Sequence, residues 1–87
     1  MAMAHKGLAK LAEELGELTQ VVGKKLAYPD VEIHPDGSDL DSRLEDEIAD
    51  VQAALMFVQS ELKLSFRAIE RRTEAKFDQY IKWSKEP

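Results

Sequence analysis

The sequence predicts an all-α protein, a bundle of about three main helices per chain. Apolar residues recur every three or four positions through long stretches, which is the spacing of one face of a helix. Two of the three prolines and the Asp36-Gly37 turn signal lie between those stretches. Residues 31–33 come nearest to a strand and are too few to count. The 87 residues therefore predict a single domain over residues 1–87, with an irregular loop at about 27–42.

The first helix is predicted to start near Ala4–Gly7 and to end near Leu26, before the first proline. Gly16 and Gly23 lie on one side of it, among other small residues. Because glycine inside a helix costs about 0.5–1 kcal/mol relative to alanine, we expect another helix backbone to approach closely there. The apolar stripe of this helix consists of Leu8, Leu11, Leu15, Leu18 and Val22.

The second helix is predicted to start near Leu40, with Asp39 or Asp41 as its N-terminal cap. A third helix is predicted from about Ser65 to about Ser84. The stripe of the second helix consists of Leu44, Ile48, Val51, Leu55, Val58 and Leu62. The residues expected to face the core on the third helix are Phe66, Ile69, Thr73, Phe77 and Tyr80.

The amino-acid composition excludes several classes of function. Twelve Lys and Arg against 17 Asp and Glu give a net charge of -5, whereas a nucleic-acid polymer requires a basic surface. The chain has no cysteine, which excludes disulfides, thiolate zinc sites and a cysteine nucleophile and favours a cytoplasmic location. No apolar run approaches the roughly 20 residues of a membrane span, so we expect no membrane partner. A core this small favours self-association or a bound ion.

Charge is segregated along the chain. Residues 30–50 hold nine acids and one base, whereas residues 63–87 hold seven bases and four acids. An acidic centre followed by a basic helix suits a cation and a polyanion held side by side. The alternative is that both segments are solvated helix faces.

A short repeat carries the most information. Residues 11–18 and 44–51 both read Leu-x-acid-acid-apolar-small-acid-apolar. At about 100° per residue, Glu14 and Glu17 fall near −60° and −120° from the first leucine of their repeat, and Glu47 and Asp50 do the same. Each helix thus carries an acidic pair at one edge of its apolar stripe. If the two helices pack antiparallel through their stripes, all four carboxylates point toward one place.

Such a cluster requires protons or cations. Two like charges about 4 Å apart repel by roughly 4 kcal/mol at an effective dielectric constant near 20. Four carboxylates are hard oxygen ligands, so Mg²⁺, Mn²⁺ or Ca²⁺ is the expected occupant. Carboxylate-bound Mg²⁺ commonly holds substrate phosphates. The alternative is that these acids face solvent and only solubilise two amphipathic helices.

The two acidic segments, residues 13–17 and 47–50, are similar to the EExxE…ExxD pattern of the MazG-like, all-α nucleoside triphosphate pyrophosphohydrolases. The resemblance implies a bundle completed by homodimerisation, sometimes doubled to a homotetramer. It also implies Mg²⁺-dependent hydrolysis of a (deoxy)nucleoside triphosphate between its α and β phosphates. The products would be the monophosphate and pyrophosphate, and the expected role is sanitation of the nucleotide pool.

The resemblance also implies roles for individual residues. The metal ligands, for Mg²⁺ or alternatively Mn²⁺, would be Glu14, Glu17, Glu47 and Asp50. Glu13 would act beside Glu14 in catalysis by orienting water. The candidate substrate-binding residues are Lys76, which lies where the family has a phosphate-contacting lysine, and Arg72, Lys10 and His5, which the resemblance does not itself assign. The chain departs from the family where Glu74 replaces a common asparagine and Asp78 follows the Lys76-Phe77 pair in place of arginines.

Two other functions stay open at this point. Phosphoribosyl-ATP pyrophosphohydrolases share the acidic helices and would differ only in substrate. A non-catalytic helical dimerisation or regulatory module would also have an acidic face, but it would show no stabilisation by Mg²⁺.

Overall fold

Three helices form the protein in the computed structural model, which describes residues 6–30, 33, 36–37 and 39–87. They are α1 (Lys6–Ala27), α2 (Leu40–Glu61) and α3 (Phe66–Ser84). Within the described residues, β-type pairing is confined to one antiparallel bridge between Ile33 and Asp39. The predicted all-α class is confirmed. None of the three helices is both long and apolar enough to cross a membrane.

Local hydrogen bonds set the helix starts. The Asp39 carboxylate accepts from the Ser42 N–H at 3.1 Å at the start of α2, as predicted. The Ser65 hydroxyl oxygen accepts from the Ala68 N–H at 3.0 Å at the start of α3. Between α2 and α3 the chain turns at Lys63, whose φ of 54° is left-handed.

The two longer helices form an antiparallel hairpin, the α1–α2 hairpin. At one end the Gly7 N–H donates to Glu61 Oε1 at 3.1 Å, which joins the start of α1 to the end of α2. At the other end Lys25 Nζ lies 2.8 Å from Asp41 Oδ1. The Glu61 carboxylate satisfies one of the N–H groups that a helix start leaves without a partner.

Each helix of the hairpin buries one seam at alternating steps of three and four residues, the spacing of paired helices. The seam, defined by its buried and half-buried members, consists of Gly7, Leu11, Glu14, Leu18 and Val21 on α1 and of Leu40, Leu44, Glu47, Val51, Ala54 and Val58 on α2. Side chains of α2 approach closely at Gly7, where an added Cβ would lie 2.6 Å from Glu61 Oε1. Gly16 and Gly23 were expected to provide close backbone approach and do not, because an added Cβ at either position would meet nothing within 4 Å.

The third helix stands apart from the hairpin. In the described part of the chain, α1 and α2 are the pair of helices that pack along their length, and α3 has no buried residue. The expected inward stripe of α3 is therefore wrong within one chain: Phe66, Phe77 and Tyr80 are 60%, 61% and 56% exposed, Thr73 is exposed and Ile69 is half-buried. The reason is that no helix of the same chain lies opposite that stripe.

Candidate metal centre

Two acids occupy positions in the seam that apolar residues fill elsewhere. Glu14 lies between Leu11 and Leu18 on α1, and Glu47 lies between Leu44 and Val51 on α2. The sequence predicted both carboxylates at the edge of an apolar stripe. The seam runs through them instead, so the acids replace one apolar layer between the two helices.

Three of the four predicted metal ligands come together. Glu14, Glu47 and Asp50 each offer a carboxylate oxygen, and these oxygens lie within 4.8 Å of one another. Donor oxygens around Mg²⁺ stand about 2.9 Å apart when adjacent and about 4.2 Å apart when opposed, since each Mg–O distance is 2.0–2.1 Å. The three carboxylates would have to move closer together to bind one ion of that size.

Two oxygens of this cluster are buried without compensation. Glu14 Oε2 and Glu47 Oε2 are shielded from solvent and accept no hydrogen bond from the described residues. An unsatisfied buried carboxylate oxygen is costly, because its hydration is lost and nothing replaces it. A cation or a proton would supply the missing interaction.

The electrostatics of the cluster favour protonation of both seam acids. Burial raises the pKa of Glu14, and the nearby carboxylates of Glu17, Asp50 and Glu13 raise it further, while Lys10 opposes them. Burial is also the largest cause that raises the pKa of Glu47, followed by Glu17, Asp50 and Glu14. Mutual repulsion and desolvation therefore act in the same direction on both groups.

The other two acids of the first motif lie at the margin. Glu17 is exposed and lies outside the three-residue cluster, but it is close enough to raise the pKa of Glu47. Glu13 points to solvent, and its Oε2 lies 3.2 Å from Lys10 Nζ. That contact, with the charges of Glu14 and Glu17, raises the pKa of Lys10 and keeps it cationic.

A cavity of about 370 Å³ opens beside the cluster. Its lining consists of Lys10, Glu14, Asp50, Ala53, Ala54 and Phe57. Sequence analysis missed the last three residues, which follow Asp50 by three, four and seven positions. That spacing puts them on the same face of α2 as Asp50, so the sequence could have indicated that they lie near the acids.

The remaining candidate substrate-binding residues do not meet the cluster within one chain. Arg72 and Lys76 lie on α3, and no residue of α3 lines the cavity beside the acids. The Lys76 ammonium instead sits 5.5 Å from the ring centroid of Tyr80. His5 lies outside the described residues.

Comparison with known proteins identifies no relative: the chain matches no family model, no curated protein and no solved structure. The likeness to MazG-like enzymes therefore depends on the two acidic motifs and on their spacing in the sequence.

Proposed function

We propose that the protein is a Mg²⁺-dependent nucleoside triphosphate pyrophosphohydrolase that releases the monophosphate and pyrophosphate. The observation that carries this proposal is the convergence of Glu14, Glu47 and Asp50, with two buried carboxylate oxygens that accept no hydrogen bond from the described residues. The resemblance of the acidic motifs to MazG-like enzymes supplies the substrate class. We place the activity in the cytoplasm, where nucleotide pools lie.

The donor set fits a hard divalent cation. All donors are carboxylate oxygens, which suit Mg²⁺ or Mn²⁺ and carry enough negative charge to balance it. Glu14, Glu47 and Asp50 would hold the ion, with Glu17 joining from the next turn of α1. When bound, Mg²⁺ neutralises the triphosphate and polarises a phosphoryl oxygen.

The protein's own groups have separate tasks in this proposal. The seam acids would hold the cation, and with it the triphosphate, in place. Glu13, which faces solvent beside Lys10, would orient the attacking water. Lys10, which lines the cavity, would contact a phosphate oxygen.

We also propose that the active form is a homodimer, which two dimers can extend to a homotetramer. Leu8, Leu15 and Val22 on α1 recur every seven residues, as do Ile48, Leu55 and Leu62 on α2, and all six are 39–45% exposed. The radius of gyration is 16.0 Å, whereas a compact chain of this length has about 12 Å. A second copy would cover these apolar rows, and its basic α3 could bring Arg72 and Lys76 to the acids.

Product analysis tests the reaction directly. The purified protein is incubated with each dNTP and NTP and with phosphoribosyl-ATP, in Mg²⁺ and in EDTA, and the products are separated. We expect metal-dependent formation of a monophosphate and pyrophosphate. Turnover of phosphoribosyl-ATP alone would move the protein to that activity, and diphosphate with phosphate would change the bond that is cleaved.

A matched pair of variants ties turnover to the cluster. Glu47→Gln removes one seam carboxylate, and Glu45→Gln removes the same charge from an exposed position of α2. We expect Glu47→Gln to lower kcat/KM at least 100-fold, roughly, because the variant loses several kcal/mol of metal-based stabilisation. Glu45→Gln should retain wild-type activity. No turnover in any sample, together with no stabilisation by Mg²⁺, would favour the non-catalytic module.

A further inference from the structure

The cavity beside the acids is chemically graded from one end to the other. Along α2 the lining runs from the acid Asp50 to the apolar residues that follow it, and Lys10 and Glu14 line the cavity from α1. The apolar part of the lining, which we name the apolar floor, consists of Ala53, Ala54 and Phe57. An acidic end that would hold a cation and an apolar end, within about 370 Å³, match a small ligand whose anionic group binds that cation and whose other end is apolar.

The aromatic ring of the floor is held by the start of α1. A Cβ added at Gly7 would lie 3.1 Å from Phe57 Cδ2 and 3.2 Å from Phe57 Cε2, so the ring rests against the bare backbone of that glycine. The same glycine donates its N–H to Glu61, one turn beyond Phe57 on α2. Glycine at this position therefore leaves room for the Phe57 ring, which is 54% exposed and lines the cavity.

Building on the proposed function, we propose that the apolar floor binds the nucleobase of the nucleotide, while Lys10 and the cation that the acids would hold bind its phosphates. Phe57 offers an aromatic surface for stacking, which every base accepts because every base has a π face. The methyl groups of Ala53 and Ala54 leave room for a planar ring system. The order of groups along the cavity then follows the order of groups in a nucleotide.

This floor has a consequence for specificity. Among the described lining residues, the polar groups are Lys10, Glu14 and Asp50, which the phosphate end engages. No side-chain amide or hydroxyl of the lining reaches the edge of a base. Sites that hydrogen-bond a substrate group reject analogues by about 10⁴-fold or more, whereas apolar pockets discriminate by about 100-fold or less. The enzyme should therefore accept all four bases at comparable efficiency.

The first experiment measures kcat/KM of the wild-type protein for the four dNTPs with Mg²⁺. We expect the four values to lie within about 100-fold of one another. Preference for one base by about 10⁴-fold would overturn the proposal, because it requires hydrogen bonds that the floor does not offer.

The second experiment changes the floor. Phe57→Ala removes the stacking surface, and Ala53→Leu fills the cavity from an exposed helical position without disturbing the seam. Both should raise KM for every dNTP by about 10-fold. Met56→Ala is the matched control, since Met56 is exposed, neighbours Phe57 and lies outside the cavity. Unchanged KM in both floor variants would overturn the proposal.

Two further readouts separate this inference from the proposed function. Light scattering should show Phe57→Ala in the wild-type oligomeric state; a change would assign Phe57 to a subunit interface and overturn the proposal. If the wild type turns over no dNTP, the proposed reaction is wrong, and a binding experiment alone then tests whether the apolar floor binds a base. Deoxynucleoside monophosphates should then shift the amide resonances of Ala53, Ala54 and Phe57, and no shift would overturn it.

Discussion

The α1–α2 hairpin buries apolar side chains within the chain, whereas α3, the most polar of the three helices, leaves its apolar residues largely exposed. Within the described residues, every buried apolar side chain belongs to the hairpin, and α3 buries none. Both regions repeat apolar residues at helical spacing, and α2 and α3 each begin with an N-terminal cap. What differs is that the hairpin helices face each other and α3 faces no helix of its own chain. The apolar pattern therefore predicts the helices, and the packing of the chain decides which of their apolar residues are buried.

The first prediction tests this comparison by placing a charge in the exposed apolar stripe of α3. If the proposed homodimer covers this stripe, Phe77→Asp should weaken self-association by about 100-fold or more, because each of the two copies loses roughly 1.5–3 kcal/mol of phenylalanine burial. Sedimentation velocity over a dilution series measures the change. Phe77→Leu keeps an apolar side chain and should remain associated. An unchanged dimer in Phe77→Asp would show that this stripe of α3 stays in water.

The second prediction contrasts a buried leucine with an exposed one. Leu40 is fully buried at the start of α2, whereas Leu26 is 77% exposed near the end of α1. Leu40→Ala should lower the free energy of unfolding by about 3 kcal/mol, since it removes buried methyl groups and leaves a cavity. Leu26→Ala should change it by less than about 0.5 kcal/mol. Urea denaturation measures both, and equal losses would contradict the position of the seam.

The smallest expected effect sharpens the role of the seam acids. The pKa of Glu47 lies above its ordinary value of 4.5 in the folded protein, mainly through burial and then through Glu17, Asp50 and Glu14. Folding then favours the protonated form, so this group lowers stability as pH rises from about 4.5 through its raised pKa. Without metal, Glu47→Gln should melt at a higher temperature than wild type at neutral pH.

The control for that effect is the exposed acid on the same helix. Glu45→Gln removes an equal charge without relieving burial, so its melting temperature should follow that of wild type across the pH range. The two glutamine variants and wild type should converge in acid, where the seam carboxylates are protonated. Equal stability of Glu47→Gln and wild type at neutral pH would contradict the uncompensated burial of the Glu47 carboxylate.

Much of the fold could be predicted because its determinants are local. Helix starts depend on short-range caps, and the sequence narrowed the cap of α2 to Asp39 or Asp41, of which the structure shows Asp39. The turn at Lys63 has no glycine or proline to mark it, although the third helix was predicted to begin close by, at about Ser65. The periodicity did not show which residues of each stripe pair within the chain, because a stripe of five or six apolar residues can pack against more than one neighbouring helix.

The candidate site shows the same limit. The repeat of acids around Glu14 and Glu47 predicted their convergence, since equal angles on two paired helices meet. It did not predict that they lie inside the seam, which depends on the relative rotation of α1 and α2. Nor did it reveal the floor at Phe57, whose position depends on the backbone of Gly7, fifty residues earlier in the sequence.

The most direct test of the metal centre is calorimetric titration of Mn²⁺ into the wild-type protein and the two glutamine variants. We expect saturable binding to wild type and to Glu45→Gln, with affinity lowered at least 10-fold, roughly, in Glu47→Gln. Two results would contradict a divalent-cation site at Glu14, Glu47 and Asp50. One is the same heat of Mn²⁺ binding in wild type and Glu47→Gln, and the other is no binding to any of the three proteins.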